Sequence, residues 1–454
     1  MSAFADIVMF AWIPIVLFIF TKFKPDEAAI IAFLGAWMFL PMAKYPIPGM
    51  PDYTKMSATC YGIFLSSMVF DSQRLANLKI KASDSAIIIF CMAPLFSSLA
   101  NGLGLYDGIA SLLQQTAKWG FPYLIGRMYF GTLEGLRNYA IGIIAGGLVY
   151  TPFCLYESRM SPQLHHMFYG FTQATFNQSF RYGGWRPMVF MEHGLMVGMW
   201  MASAALAALW LYHTGALKQI RGYGMNRLVP ILTLTMVMCR STGAVSLYII
   251  GAATLLLTEK LKNGLIILLL FSLPVGYLAT RSTELWSGQN LVDLIAHNLS
   301  EDRAASIEFR FTNENMLSKK ALQQPIFGWG GWGRARVYDA EGNDISVTDG
   351  LWIIIFGNYG LLGISAMSTV FLLPVIKLLR LYPASKWNTP EVAPAAVLSV
   401  LLILYMIDNL LNAMINPIFT VAAGGLTGLN PNESAQISEI SVSDDKPPII
   451  TRYI

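Results

Sequence analysis

Apolar runs of about 17 to 25 residues follow one another along almost the whole chain, the length a helix needs to cross the hydrocarbon of a bilayer. The first, Phe4 to Phe20, is closed by Lys22 and Lys24. It has no basic leader and no small-residue cleavage site, so it reads as a retained helix rather than a signal peptide. Further runs lie at about 27–41, 57–70, 85–99, 108–130, 137–155 and 188–212, and others follow residue 228 and residue 350. The pattern predicts an all-α, polytopic membrane helix bundle of about twelve transmembrane helices. Two polar stretches interrupt it, 156–187 and 281–349, and the chain closes on a tail, 430–454, rich in Ser, Asp, Pro and Glu that reads as disordered. The expected division is therefore helices with one polar loop over 1–280, a large loop over 281–349, C-terminal helices over 350–429, and the tail.

Charge sets the expected orientation. The loop 213–227 carries Lys218, Arg221 and Arg227 without an acid, and 377–388 carries Lys377, Arg380 and Lys386 without an acid, which marks both as cytoplasmic. Counting helices from them puts 156–187 and 281–349 on the extracytoplasmic side. The larger loop holds ten acids and seven Lys or Arg, the balance of a segment not retained inside. Composition agrees: 55% of the residues are hydrophobic and 13% charged, against about 25% charged in soluble domains. A net charge of +4, dispersed along the chain, gives no footprint for nucleic acid. The four cysteines lie in or beside apolar runs without paired spacing and imply neither a disulfide framework nor a metal site.

Within the apolar run Leu228 to Thr258 the only charge is Arg240. A guanidinium at the bilayer centre costs about 2.5–3.5 kcal/mol, so Arg240 faces a hydrated cavity or sits at the tip of a helical hairpin. Arg181 and Arg186 precede one span and Arg310 opens the large loop; all four fall on one side. Arginine presents a rigid fork that matches phosphate oxygens. Asp349 stands where the polar loop meets an apolar run, a place that suits a general base and equally a helix N-cap. Glu192 and His193, at the mouth of another span, are rival bases. Trp329 and Trp332 in QPIFGWGGWG offer flat faces for sugar rings or anchors at the bilayer surface. That segment lacks nucleotide-loop spacing, 339–344 lacks the offsets of a calcium loop, and His165-His166 lacks a third ligand, so no metal is expected.

Three segments carry a resemblance. CRSTGA at 239–244, Arg310 followed by PIFGWGGWG, and DGLWIIIFGNYGLLG at 349–363 are similar to motifs of the O-antigen ligase and O-antigen polymerase superfamily, bacterial polytopic membrane glycosyltransferases. The third departs from the ligase pattern: Asp349 occupies the histidine position and Gly350 the amide or hydroxyl position. The resemblance implies polymerisation or ligation of undecaprenyl-diphosphate-linked oligosaccharides for O-antigen or exopolysaccharide, at the periplasmic face of the inner membrane. No cofactor, nucleotide sugar or catalytic metal is implied. Its implied partners are the lipid-linked donor, the bilayer and other polysaccharide assembly proteins. On this reading Arg240 and Arg310, with Arg186 in support, hold the pyrophosphate, and Asp349, His193 or Glu192 serves the acceptor hydroxyl. The competing readings are a flippase for lipid-linked glycans and a non-catalytic subunit of an export complex.

Overall fold

Prolines, glycines and charges cut the apolar runs into helices in the computed structural model, which describes residues 2–47, 50–173, 179–298 and 301–430. Helices α1 (Ala3–Lys22), α2 (Pro25–Phe39) and α3 (Lys55–Phe70) open the chain. Pro25 starts α2 where its missing N–H would have had no helical partner. Strands β1 (Lys44–Ile47) and β2 (Met50–Thr54) make an antiparallel hairpin between α2 and α3. Thr54 then caps α3 through a reciprocal capping box with Ser57. Next come α4 (Ser72–Ala76), α5 (Ser85–Ala100), α6 (Leu105–Gln115), α7 (Phe121–Tyr129) and α8 (Leu133–Met160). The run expected as one span at 108–130 is α6 and α7, joined without a break by a π-helical turn, Thr116–Gly120, which carries Lys118.

The polar stretch 156–187 holds α9 (Leu164–Tyr169) and the two-residue strands β3 (Phe180–Arg181) and β4 (Gly184–Trp185). After α10 (Gly194–His213), strands β5 (Gln219–Ile220) and β6 (Tyr223–Gly224) turn the chain into α11 (Met225–Met238), α12 (Thr242–Leu261) and α13 (Leu265–Ser282). The large loop contains α14 (Gln289–Asn298) and α15 (Glu301–Ala321), and the chain ends on α16 (Leu351–Leu381), α17 (Ala393–Leu411) and α18 (Pro417–Gly428). Among the described residues eight helices are long and apolar enough to cross a membrane: α1, α5 with the turn before it, α8, α10, α12, α13, α16 and α17. Of the tail expected to be disordered, 430–454, all but Asn430 lies outside the described residues.

Helices α10 and α17 run through the middle and are almost wholly buried, while α1, α12 and α13 show most of their apolar surface outward. That is the distribution of a bundle whose outer helices face lipid. Helix α18 docks on α7 through glycines. A Cβ on Gly126 would collide with the Val421 carbonyl, and one on Gly424 with the Tyr123 carbonyl. Hydrogen bonds and ion pairs cross-link each end of the bundle. At one end, the Ser2 amide donates to the Tyr169 carbonyl, the Met42 amide to His165, and Lys55 to the Phe190 carbonyl. At the other, Arg74 pairs with Asp26, Arg127 with Asp84, and Lys81 bonds Asn430.

A buried ion pair fastens the large loop to the bundle. Arg281, at the end of α13, and Glu314, on α15, meet at 3.0 Å with side chains 2% and 4% exposed. Glu314 also accepts from the Tyr277 hydroxyl at 2.7 Å and the Trp352 indole at 3.2 Å, tying α13, α15 and α16 together.

The PIFGWG turn is a second fastening. Helix α16 breaks at Gly360, whose φ of 63° and ψ of −159° suit glycine alone. Into this break the loop inserts its backbone. The Trp329 and Gly330 amides donate to the Gly357 and Asn358 carbonyls, and the Leu361 and Leu362 amides donate to the Pro325 and Ile326 carbonyls. Gly328, at φ +68°, lies so near the α16 backbone that a Cβ would sit 2.5 Å from Tyr359 N. From α5, Ser97 and Asn101 clamp the same knot by donating to the Asn358 and Gly328 carbonyls. Gly360→Ala is therefore expected to destabilise by about 3 kcal/mol or more, from strained backbone plus collision with the Ile326 carbonyl. Gly276→Ala, where a Cβ meets open space, is the control. Thermal unfolding of the two variants checks this, and equal melting temperatures would refute it.

Candidate functional site

Most of the predicted residues fall into two groups at one end of the bundle, and a cavity borders both. The first group is built on the break between α11 and α12. The chain turns there at Cys239–Ser241 with Arg240 in the left-handed conformation, φ +51°. Arg240 thus sits at the tip of a helical hairpin, one of the two placements its sequence context allows. Its Nη1 donates to the Tyr182 carbonyl at 2.6 Å, and its own carbonyl accepts from Arg186 Nη2 at 3.3 Å. Two glycines make room for these side chains: a Cβ on Gly184 would collide with the Arg240 guanidinium, and one on Gly194 with the Arg186 stem. The Nε atoms of both arginines are buried without a hydrogen-bond partner. Among the described residues no carboxylate comes within ion-pair distance, 4.0 Å, of Arg181, Arg186 or Arg240. Burial, and then the Arg181 charge, bring Arg186 down to about 10.

His193 belongs to the same group. It is the N-cap of α10, and its Nδ1 accepts from the Leu195 amide at 3.1 Å. Burial, followed by the charges of Arg186 and Arg181, pushes it down to about 4, so the ring is neutral at pH 7. Glu157 holds the surrounding loop in place. Its carboxylate accepts from the amides of Leu164, Met188 and Val189 at 2.7–2.8 Å. The sequence offered one cue to Glu157, an acid at the end of an apolar run.

The second group is a pair. Arg310 Nε lies 3.5 Å from Asp349 Oδ2, with side chains 34% and 37% exposed, and Arg310 Nη1 reaches the Leu411 carbonyl at 3.4 Å. Asp349 does not cap α16; the N-cap is Gly350, with extended backbone and no side-chain hydrogen bond. The carboxylate is engaged by the guanidinium one helix away, so the capping reading is corrected.

The third feature is a cavity of about 580 Å³. Its wall includes Lys44, Lys55, Lys118, Gln115, Asp52 and Glu192. Of the predicted residues only Glu192 lines it. The other two groups border it: Glu192 adjoins His193, and the wall residues Leu351 and Ala413 lie just beyond Asp349 and Leu411. Lys55 and Lys118 were missed, although an ammonium within an apolar stretch was the available signal.

The tryptophans divide. Trp329 donates to the Lys320 carbonyl at 2.7 Å and carries the Lys320 ammonium over one ring face at 3.8 Å, so that face is closed to a sugar. Trp332 is 82% exposed. The acidic turn at 339–344 satisfies itself, since Asp339 accepts from the amides of Glu341 and Asn343.

His165 uses both ring nitrogens structurally. Nε2 accepts from the Met42 amide at 3.1 Å, which leaves Nδ1–H to donate to the Phe171 carbonyl at 2.8 Å. Burial pushes it down to about 4, below the ordinary value of about 6.5. Between these values the unfolded chain binds a proton that the folded chain refuses. Stability from this group is therefore full above pH 6.5 and lost as pH falls toward 4, by up to about 3 kcal/mol. Melting temperatures from pH 4 to 7 should climb less steeply in His165→Gln than in the parent protein; identical slopes would dismiss the account. No protein-family model matches this chain, and no curated protein matches it.

Proposed function

We propose that this chain is a membrane glycosyltransferase of the O-antigen ligase and polymerase type, acting on polyprenyl-diphosphate-linked oligosaccharides. The single observation that carries the reading is the Arg181, Arg186 and Arg240 group. It has guanidiniums seated in glycine recesses, with two buried Nε donors unpartnered and, among the described residues, no carboxylate at ion-pair distance. Holding such charges together is costly unless an anion joins them. A diphosphate offers enough oxygens to take the fork-shaped donors.

In the proposed step the acceptor hydroxyl attacks the anomeric carbon of the donor sugar. The new C–O bond forms as the bond to the diphosphate breaks, and the leaving oxygen takes the electron pair. The arginines stabilise that developing charge. The hydroxyl proton passes to a carboxylate at the cavity, and the wall position favours Glu192. Asp349, held by Arg310, then orients the acceptor. Counting α2, α3, the α6–α7 pair, α11 and α18 as further crossings beside the eight long apolar helices gives thirteen, one more than the twelve that the apolar pattern predicts. The end carrying Lys22, Lys24, Arg74, Lys81 and Lys377 then faces the cytoplasm, and the site and large loop face the periplasm.

Incubation of the purified protein with an undecaprenyl-diphosphate oligosaccharide tests this. Growth of lipid-linked chains marks a polymerase, and transfer to a second acceptor marks a ligase. Movement of the donor across proteoliposomes with no change in either would replace the enzyme by a transporter.

A further inference from the structure

The cavity contains charged groups that the pyrophosphate reading does not use. Lys55 is 4% exposed, and its Nζ donates to the Phe190 carbonyl at 2.8 Å and lies 5.3 Å from the centre of the Trp37 ring. No carboxylate is within ion-pair distance of it among the described residues. Lys118 and Glu192 expose their side chains to the same space. Gln115, 7% exposed, has its Nε2 buried on this wall without a hydrogen-bond partner. At the mouth, Lys44 is already paired with Asp52 at 2.8 Å. The groups left facing inward are two lysines and one carboxylate, Lys55, Lys118 and Glu192.

The volume, about 580 Å³, lies within the range of about 300–1,000 Å³ that small-molecule sites occupy. Much of the remaining wall is apolar, with Met196, Ile354 and Ile355 among its residues. Such a lining suits the body of a pyranose ring, and the cationic corner suits an anionic substituent. Lysines act as point charges and do not impose the two-pronged geometry that arginine offers to a diphosphate. A carboxylate is an acceptor for each of the donors that Lys55, Lys118 and Gln115 bring to this wall.

We propose that this cavity is the acceptor pocket and that it takes a sugar bearing a carboxylate, held by Lys55, Lys118 and Gln115 with Glu192 facing its hydroxyls. The proposal rests on the glycan-transfer reading and names the substrate class for that site. Its cost is visible in Lys55, because a buried lysine with no carboxylate in ion-pair contact among the described residues is retained against stability.

The test is saturation-transfer NMR on the full chain in detergent micelles, with D-glucuronate, D-glucose and inorganic phosphate as probes. Glucuronate is expected to bind at least about tenfold more tightly than glucose, and Lys118→Met to remove that preference. Phosphate is expected not to displace glucuronate. Lys55→Met should lose glucuronate binding while melting at or above the parent temperature. If Lys55→Met does not fold, Lys118→Met decides. Equal binding of glucose, displacement by phosphate, or an unaltered Lys118→Met overturns the pocket. The readout needs no turnover, so the two readings fail separately. Transfer activity without glucuronate binding removes this pocket alone. Glucuronate binding without transfer removes the enzyme and leaves an acidic-sugar site.

Discussion

Arg240→Ala is expected to lower glycan transfer by about 10²–10³-fold, the loss typical of removing one preorganised donor from a developing oxyanion. The loss should fall on kcat more than on KM, because charge on the diphosphate oxygen grows only as the glycosidic bond breaks. Arg240 also braces the loop, through the Tyr182 carbonyl, so truncation alone does not separate chemistry from support. Arg240→Lys keeps the charge and loses the fork, and should recover part of the rate. Gly184→Ala leaves every arginine in the sequence but fills the recess that seats the guanidinium, and should impair turnover in the same sense. If Arg240→Ala retains more than about half of the parent rate, the cluster does not hold the leaving group.

The second large effect is structural. Arg281→Ala is expected to destabilise the protein by about 3–5 kcal/mol, since it leaves Glu314 buried without its cation. Glu314→Ala should cost a similar amount, stranding Arg281, Tyr277 and the Trp352 indole. Replacing both by apolar residues of similar size, Arg281→Met with Glu314→Leu, should cost less than either single truncation. Chemical or thermal unfolding of the set reads this directly. A double replacement that costs as much as the sum of the single changes would mean that the pair does not act as a unit. Protease sensitivity of 283–350 should rise in both single variants, because the pair fastens α15 to the bundle.

The bundle was readable in the sequence because its signal is cumulative: apolar runs of the right length, closed by lysines or broken by prolines. The hairpin tip was one of two placements readable for Arg240, since one guanidinium in a long apolar stretch has few places to go. The π-helical turn at 116–120 was not, because nothing in TAKWG separates it from ordinary helix. The helices in 281–349 were hidden by a mean polarity that reads as loop. Among the candidate site residues, sequence gave the side of the bundle and not the company each keeps. Arg310 and Asp349 are far apart in the chain, and their pairing depends on how α15 lies across the end of α17. Lys55 and Lys118 come together only through the packing of α3 against the turn after α6.

The backbone exchange between 325–330 and the break in α16 divides the large loop into two parts of different character. Residues 325–330 supply carbonyls and amides that α16, opened at Gly360, lacks, so they belong to the helix bundle in all but sequence position. The turn at Asp339–Asp344 bonds mainly to itself and faces outward. A foreign peptide spliced between Glu341 and Gly342 should therefore be carried without harm. The same peptide spliced after Phe327 should prevent α16 from closing.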